Sequence, residues 1–199
     1  MTEGIVLIVV GYLFGSVSSA ILVCRALGLP DPRSGGSGNP GATNVLRLGG
    51  RKAGALTLAG DFLKGLLPVL LARAVTDTPW VYAGAGTAAF LGHLYPLFFG
   101  FRGGKGVATG LGVLLGWSWL GALLTLATWL VVAMLFRISS LAALTAFLTA
   151  PAYVYWATGN PAMTVTMGVL AAFTFWRHRG NIARLMAGEE KPMGRKKAD

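Results

Sequence analysis

Long uncharged hydrophobic runs, separated by short polar segments, make up most of this chain. The first run, Gly4–Cys24, is 21 residues long, and a helix needs about 20 apolar residues to cross the hydrocarbon core of a bilayer. The pattern predicts an all-α integral membrane protein forming a single domain over residues 1–199. The predicted spans are Gly4–Cys24, Ala53–Ala72, Thr78–Phe101, 106–118, 120–136, Leu141–Ala157 and Ala162–Trp176.

Two of these spans come from one uncharged run, Gly106–Phe136, which has 31 residues. At about 1.5 Å per residue a single helix of that length would extend roughly 46 Å, too far for one bilayer core without strong tilt. We therefore predict two short helices, joined by a turn near Gly116–Gly121.

The distribution of cations favours seven spans over six. With seven, fifteen of the 17 Lys and Arg residues fall on one face, Arg73 falls on the other, and Lys64 lies within a span. Six spans would place seven cations on one face and nine on the other. Because cytoplasmic loops carry an excess of Lys and Arg, we expect seven transmembrane helices, with the N-terminus outside and the tail from Arg177 in the cytoplasm.

Composition narrows the functional classes. Only 12% of residues are charged, against about 25% in soluble domains, so the net charge of +10 has no soluble domain to form a nucleic-acid-binding face. The single cysteine, Cys24, excludes an internal disulfide and a cysteine metal cluster. Met1–Glu3 is acidic, so no cleaved signal peptide is expected.

The first polar segment, Ser34–Arg47, reads SGGSGNPGATNVLR. Its small residues leave successive backbone N–H groups free to converge on an anion, and a helix is not expected through Asn39-Pro40-Gly41. Arg47 adds a planar cation suited to phosphate. The short polar side chains are Ser37, Thr43 and Asn44. The segment predicts a phosphate-binding loop at the membrane surface; an ordinary interhelical turn is the alternative.

The second segment, Gly103–Thr109, reads GGKGVAT and places Lys105 among glycines before a helix. Backbone donors and a point charge there would form an anion site. It is not a P-loop, because Gly106 stands where that motif requires Ser or Thr. The alternative is a basic topology anchor beside a flexible turn.

The third segment, Arg177–Asn181, reads RHRGN where the last span leaves the membrane. His178 and Asn181 are three residues apart and share a helix face. Neighbouring cations should lower the pKa of His178 and leave it neutral, able to accept a proton. An interfacial cluster at a helix end remains the alternative.

Other polar residues lie within spans. Asp61 and Lys64 are three residues apart in the second span. They are interpreted either as a structural pair that holds helices together or as part of a proton or ion path. We prefer the structural pair. His93, beside aromatic residues in GHLYP, is interpreted as a packing or interface residue.

Several chemistries have no residues to support them. The chain has seven acidic residues and no cluster suited to Mg²⁺, no HExxH motif, and no HxxxxD dyad. These patterns predict a cytoplasmic site without metal or cofactor, suited to a reaction in which phosphate is already a good leaving group. A transporter for a phosphorylated solute is the rival class, but no internal repeat is found and the motifs lie at one face.

In order, GSGNPGATN with Arg47, FRGGKGVAT and RHRGNI resemble the bacterial acyl-phosphate:glycerol-3-phosphate acyltransferase family. The likeness covers nearly the whole chain, including GDFLKG and GHLYP. It implies a seven-helix enzyme embedded in the lipid bilayer of the bacterial inner membrane, with acyl phosphate and glycerol 3-phosphate as its substrates. It also implies that the enzyme uses no metal or cofactor and binds no nucleic acid. The residues implied for activity are Ser37, Arg47, Lys105, His178 and Asn181. Those implied for phosphate binding are Asn39, Gly41, Thr43, Asn44, Gly103, Gly104 and Gly106.

Overall fold

The computed structural model describes residues 2–193, and every regular element within that range is helical, which confirms the all-α class. A 3-10 helix, Leu97–Phe99, follows the fourth α-helix. The α-helices are α1 (Thr2–Gly15), α2 (Ser19–Ala26), α3 (Ala42–Val75), α4 (Pro79–Leu94), α5 (Val107–Trp117), α6 (Trp119–Phe136), α7 (Ser139–Thr158), α8 (Pro161–Arg177) and α9 (Arg179–Met186).

The first predicted span is a broken helix. α1 and α2 together cover Thr2–Ala26, a stretch of 25 residues that is long and apolar enough to cross a membrane. The chain leaves regular helix between them, and there the Val17 carbonyl accepts a hydrogen bond from Lys64 Nζ at 2.8 Å. The break therefore gives a backbone acceptor to a charged side chain of α3.

The second long helix begins at Ala42, well before the predicted start at Ala53, so the polar loop is shorter than Arg25–Lys52 and Arg47 is helical. Gly50, with φ 76° and ψ −171°, bends the helix, a conformation that glycine adopts without strain. The early turns form because Val45 is buried against Cys24 and its neighbours. Tertiary packing thus overrides the low helix propensity of a glycine-rich segment.

The helices fall into two groups by length. Four stretches in the described range can cross a membrane by length and composition, namely Thr2–Ala26, Ala42–Val75, Trp119–Phe136 and Ser139–Thr158. α4, α5 and α8 are shorter, with 16, 11 and 17 residues. The break between α5 and α6 falls at Ser118, inside the segment predicted to turn, and Ser118 Oγ accepts from the Gly121 N–H at 3.1 Å.

Small residues bring the helices into close contact. A Cβ on Gly15 would lie 1.9 Å from the Ala89 carbonyl oxygen, and one on Gly65 would lie 2.1 Å from the Thr109 carbonyl oxygen. These contacts join α1 to α4 and α3 to α5, as is typical of packed membrane helices. Large apolar side chains also face outward, for example Trp156 at 72% exposure, as expected where lipid surrounds the bundle.

The charged pair of the second span forms in the structure. Lys64 Nζ lies 2.8 Å from Asp61 Oδ1, and both side chains are buried. His93 Nδ1 on α4 lies 3.5 Å from the same Asp61 oxygen. Together with the bond to Val17, these contacts connect the α1–α2 break, α3 and α4. This arrangement supports the structural interpretation of the pair over an ion path.

Candidate functional site

The three polar motifs meet at one end of the bundle. A Cβ on Gly104 would lie 3.1 Å from the Pro40 carbonyl oxygen, so the first and second motifs touch. Lys105 Nζ donates a hydrogen bond to Asn181 Oδ1, which joins the second motif to the third. Arg47 is close enough to Lys105 to contribute to lowering the pKa of its ammonium group. Segments distant in sequence therefore form one cationic site.

The first loop is built around the side chain of Asn44, which is buried. Its Oδ1 accepts the Ser37 N–H at 2.9 Å, and its Nδ2 donates to the carbonyls of Pro32 and Gly35 at 2.9 and 3.0 Å. Gly36, with φ 63°, passes so close that a Cβ would lie 2.2 Å from Asn44 Oδ1. The sequence predicts Asn44 as a phosphate contact; in the structure both amide hydrogens are engaged, so Asn44 shapes the loop instead.

The start of α3 carries polar groups of this loop that are not used within it. The Gly41 N–H, also predicted to bind phosphate, donates to the Asn39 carbonyl at 2.9 Å and is not free. No side chain caps the first turn of α3, so the N–H groups of Ala42 and Thr43 stay available for an anion. Ser37, Thr43 and Arg47 have exposed side chains.

Arg177 fastens the second loop. Its Nε donates to the Gly104 carbonyl at 3.0 Å and its Nη2 donates to the Gly103 carbonyl at 2.7 Å. Its guanidinium carbon lies 5.6 Å from the centre of the Tyr95 ring. The Gly104 N–H donates to the His93 carbonyl at 3.1 Å, so this predicted phosphate contact is also engaged. The donors that remain for an anion include the Lys105 ammonium group, the Gly106 N–H and the first turn of α5.

Gly104 has no room for a side chain, because a Cβ there would lie 2.2 Å from His93 Nε2. We expect Gly104→Ala to lower the free energy of unfolding by about 1–3 kcal/mol through overpacking. Thermal melting of the purified protein in detergent measures this. Gly168→Ala is the matched control, since a Cβ at Gly168 meets nothing within 4 Å; equal melting temperatures for the two variants would contradict the expectation.

A carboxylate of the C-terminal segment is linked to Lys105 through Asn181. Asn181, which accepts from Lys105, donates through Nδ2 to Glu190 Oε1 at 2.5 Å. Glu190 also accepts from Ser140 Oγ at 2.7 Å and from Arg184 Nε at 2.7 Å. The sequence carries no signal for this arrangement, because a carboxylate in a basic tail has no motif spacing.

The ammonium group of Lys105 has a lowered pKa but is mostly charged at pH 7. Burial lowers the pKa of its ammonium group to about 8, the Glu190 carboxylate opposes that shift, and Arg184, Arg177 and Arg47 add to it. Below that value Lys105 is mostly protonated and is available as a cation for phosphate.

His178 follows the last residue of α8 and is buried. Its Nδ1 lies 2.8 Å from the Thr174 carbonyl oxygen. Because a carbonyl only accepts hydrogen bonds, Nδ1 carries the hydrogen and Nε2 of the neutral ring keeps a free lone pair. Burial and then the charge of Lys105 lower the pKa of His178 to about 4, in agreement with the neutral ring expected from the sequence.

A cleft of about 330 Å³ separates the first and second loops. Its volume is at the lower end of the range of small-ligand pockets. Three arginines contribute to its wall, although Arg33 is paired with Asp31 at 2.7 Å. The lining residues are Arg33, Gly38, Pro40, Phe101, Arg102, Gly103 and Arg177. No motif in the sequence marks Arg33 and Arg102 as site residues, because isolated basic residues in loops also occur as topology signals.

The chemistry of the site is that of anion binding beside a neutral imidazole. Convergent cations and helix N-termini favour phosphate groups. Within residues 2–193, no three His, Cys, Asp or Glu side chains are grouped so as to hold a metal ion.

Comparison with known proteins agrees with this chemistry. A family model described as Glycerol-3-phosphate acyltransferase matches residues 5–188. A glycerol-3-phosphate acyltransferase of Halorhodospira halophila is 59% identical over 190 residues, covering 96% of each chain. That of Methylococcus capsulatus is 56% identical over 191 residues, again covering 96% of each.

Solved structures show the same fold. The crystal structure of PlsY (YgiH), an integral membrane glycerol 3-phosphate acyltransferase, in its glycerol 3-phosphate form, has a TM-score of 0.92 and 41% identity over 96% of each chain. Its lysophosphatidic acid form has a TM-score of 0.90 at 40% identity, with the same coverage. This chain therefore belongs to the glycerol-3-phosphate acyltransferase family, a group of integral membrane enzymes of phospholipid synthesis.

Proposed function

We propose that this protein transfers a fatty acyl group from acyl phosphate to the 1-hydroxyl of glycerol 3-phosphate, giving lysophosphatidate and inorganic phosphate. The observation that carries the proposal is that Arg47 and the neutral His178, which come from different motifs, both lie near Lys105. Acceptor and product correspond to the ligand forms of the related structures. The donor is the one that the resemblance of the motifs to the acyl-phosphate-dependent family implies, and it suits the site because acyl phosphate already contains a good leaving group.

Two phosphate groups have to be held close together in this reaction. Their mutual repulsion requires several cations and backbone donors in a water-poor site. The first loop with Arg47 is the proposed holder of one phosphate, and Lys105 with the Gly103–Gly106 loop is the proposed holder of the other. The charge of Lys105 near pH 7 supports this division of roles.

Acyl transfer then proceeds by direct attack. The 1-hydroxyl oxygen bonds to the acyl carbon, the bond from that carbon to the phosphate oxygen breaks, and the hydroxyl proton passes to a phosphate oxygen of the donor. Ser37, whose side chain is exposed at the first loop, is proposed to donate to the acyl carbonyl or to phosphate. An attacking serine is disfavoured, because no base is seen to activate it among the described residues.

His178 is proposed to orient the acceptor hydroxyl through Nε2. A pKa of about 4 makes its ring a weak base at neutral pH, and general bases work best when their pKa is near the operating pH. Asn181, with its side-chain oxygen bound to Lys105, is proposed to act with Lys105 rather than as an acid or base.

We expect His178→Gln to reduce kcat by about tenfold, while the acidic limb of its pH–rate profile keeps the wild-type midpoint. The reason is the downward shift of its pKa to about 4: His178 is mostly neutral between pH 5 and 8, so its titration does not set the acidic limb in that range. Activity against pH in detergent measures both quantities. Loss of the acidic limb in the variant would instead identify His178 as the base.

The proposed placement is the bacterial inner membrane, with seven spans, the N-terminus outside and the site facing the cytoplasm. α1–α2 acting as one span, with α3 to α8, supplies seven helical segments. The acyl chain is proposed to lie in an apolar groove between helices that is open to lipid.

An activity assay with defined substrates tests the proposed function. Purified protein in detergent should release phosphate and form lysophosphatidate from acyl phosphate and glycerol 3-phosphate, and should not use acyl-coenzyme A as donor. Detergent removes any sealed compartment, so turnover there also separates acylation from transport. Absence of product with acyl phosphate would refute the proposal.

A further inference from the structure

A carboxylate lies within a site that has to bind two anions, and the proposed reaction has no use for it. The side chain of Glu190 is only 11% exposed. A negative charge next to a phosphate site weakens phosphate binding unless it organises the cations there. The position of Glu190 therefore requires a physical reason.

The contacts of Glu190 supply that reason. Its Oε1 accepts from Asn181 Nδ2 at 2.5 Å and from Ser140 Oγ at 2.7 Å, and its Oε2 accepts from Arg184 Nε at 2.7 Å. An amide has a donor side and an acceptor side. Because Glu190 holds the donor side of Asn181, the acceptor side is turned toward Lys105, whose ammonium group donates to it.

The backbone holds Glu190 in this place from both directions. After α9, Gly188 reverses the chain with φ 70°, and the Glu189 N–H donates to the Arg184 carbonyl at 2.8 Å. Further on, the Met193 N–H donates to the carbonyl of Arg137 in the α6–α7 turn at 2.6 Å. The segment thus crosses from α9 to the start of α7 and carries Glu190 between them.

We propose that Glu190 is a positioning residue, which orients the Asn181 amide and through it holds the Lys105 ammonium group at the substrate site. The role given to Lys105 rests on the proposed function. Glu190 acts through Asn181 and needs no contact with substrate.

Charge adds to this geometric effect. The groups that influence Lys105 are Arg47 from α3, Arg177 from α8, Arg184 from α9 and Glu190, with His178 neutral beside it. Glu190 raises the pKa of Lys105, while burial and the three arginines lower it to about 8. Removing the carboxylate charge lowers that pKa further, so Lys105 loses its proton at a lower pH.

The test compares Glu190→Gln, Glu190→Ala and the matched control Glu189→Gln, whose glutamate is exposed. Two quantities are measured between pH 6 and 9, namely kcat/KM and the rate of amine labelling at Lys105 read by mass spectrometry. For Glu190→Gln we expect both midpoints to fall by about one pH unit. Its activity should drop about fivefold at pH 8 and stay within about twofold of wild type at pH 6.

The other variants separate charge from geometry. Glu190→Ala, which lacks both acceptor oxygens, should lose activity at every pH, and Glu189→Gln should match the wild type. Unchanged midpoints in Glu190→Gln would overturn the proposal. So would a lower KM for glycerol 3-phosphate at full kcat, because Glu190 would then compete with substrate. Labelling needs no turnover, so the midpoint shift tests Glu190 even if the proposed reaction fails.

Discussion

Replacing Lys105 with alanine is expected to reduce kcat/KM by about 100- to 1000-fold, the range found when one preorganised donor to a developing negative charge is removed. Lys105 is the partly buried cation of the second loop, and its remaining neighbours are mostly arginines that already have carbonyl or carboxylate partners. Arg47→Ala should cost at least about tenfold, or 1.4 kcal/mol. Steady-state kinetics of phosphate release in detergent measures both losses.

Arg51 provides the matched control for this experiment. It lies on α3 just beyond the bend at Gly50 and, like Arg47, is exposed, so Arg51→Ala changes net charge equally without removing a cation placed beside Lys105. We expect its activity to stay within about threefold of wild type. If Arg47→Ala and Lys105→Ala also stay within threefold, the two residues do not hold substrate phosphate.

The second large effect is expected on stability, at the buried pair of Asp61 and Lys64. Asp61→Asn or Lys64→Met alone leaves an uncompensated charge in the bundle and should lower the free energy of unfolding by about 3–5 kcal/mol. The double variant removes both charges and should lose less than the sum of the two single changes. Thermal or denaturant unfolding in detergent gives the three values.

Asp77→Asn is the control for that cycle, because Asp77 is exposed and exposed charges contribute about 0–1 kcal/mol. Strict additivity of the Asp61 and Lys64 variants would show that the 2.8 Å contact between them contributes no coupling energy.

The glycine-rich loops show what local features of the sequence predict and what they do not. The sequence predicts Lys105 and Asn181 as site residues, because a cation among glycines and a polar residue at a helix end are local features. It does not predict the partners that hold them in place. Gly104 and Asn44 were expected to contact phosphate, but their polar groups are used within the loops. Backbone hydrogen-bond partners depend on the path of the chain, which residue types alone do not specify.

The start of α3 shows the same limit for secondary structure. Glycines and cations between Ala42 and Lys52 are typical of a loop, yet the segment is helical to Gly49 because Val45 packs against α2. Helices in proteins depend more on such packing than on propensity.

The linear chain is sufficient for the all-α class, the membrane environment and the family, since run length, cation placement and motif order are properties of sequence. Only the folded chain reveals that Arg177 fastens the second loop, that Asn44 shapes the first, and that Glu190 reaches Lys105 through Asn181. Those contacts join residues far apart in sequence, and no periodicity or spacing encodes them. Their geometry exists only after the helices have packed.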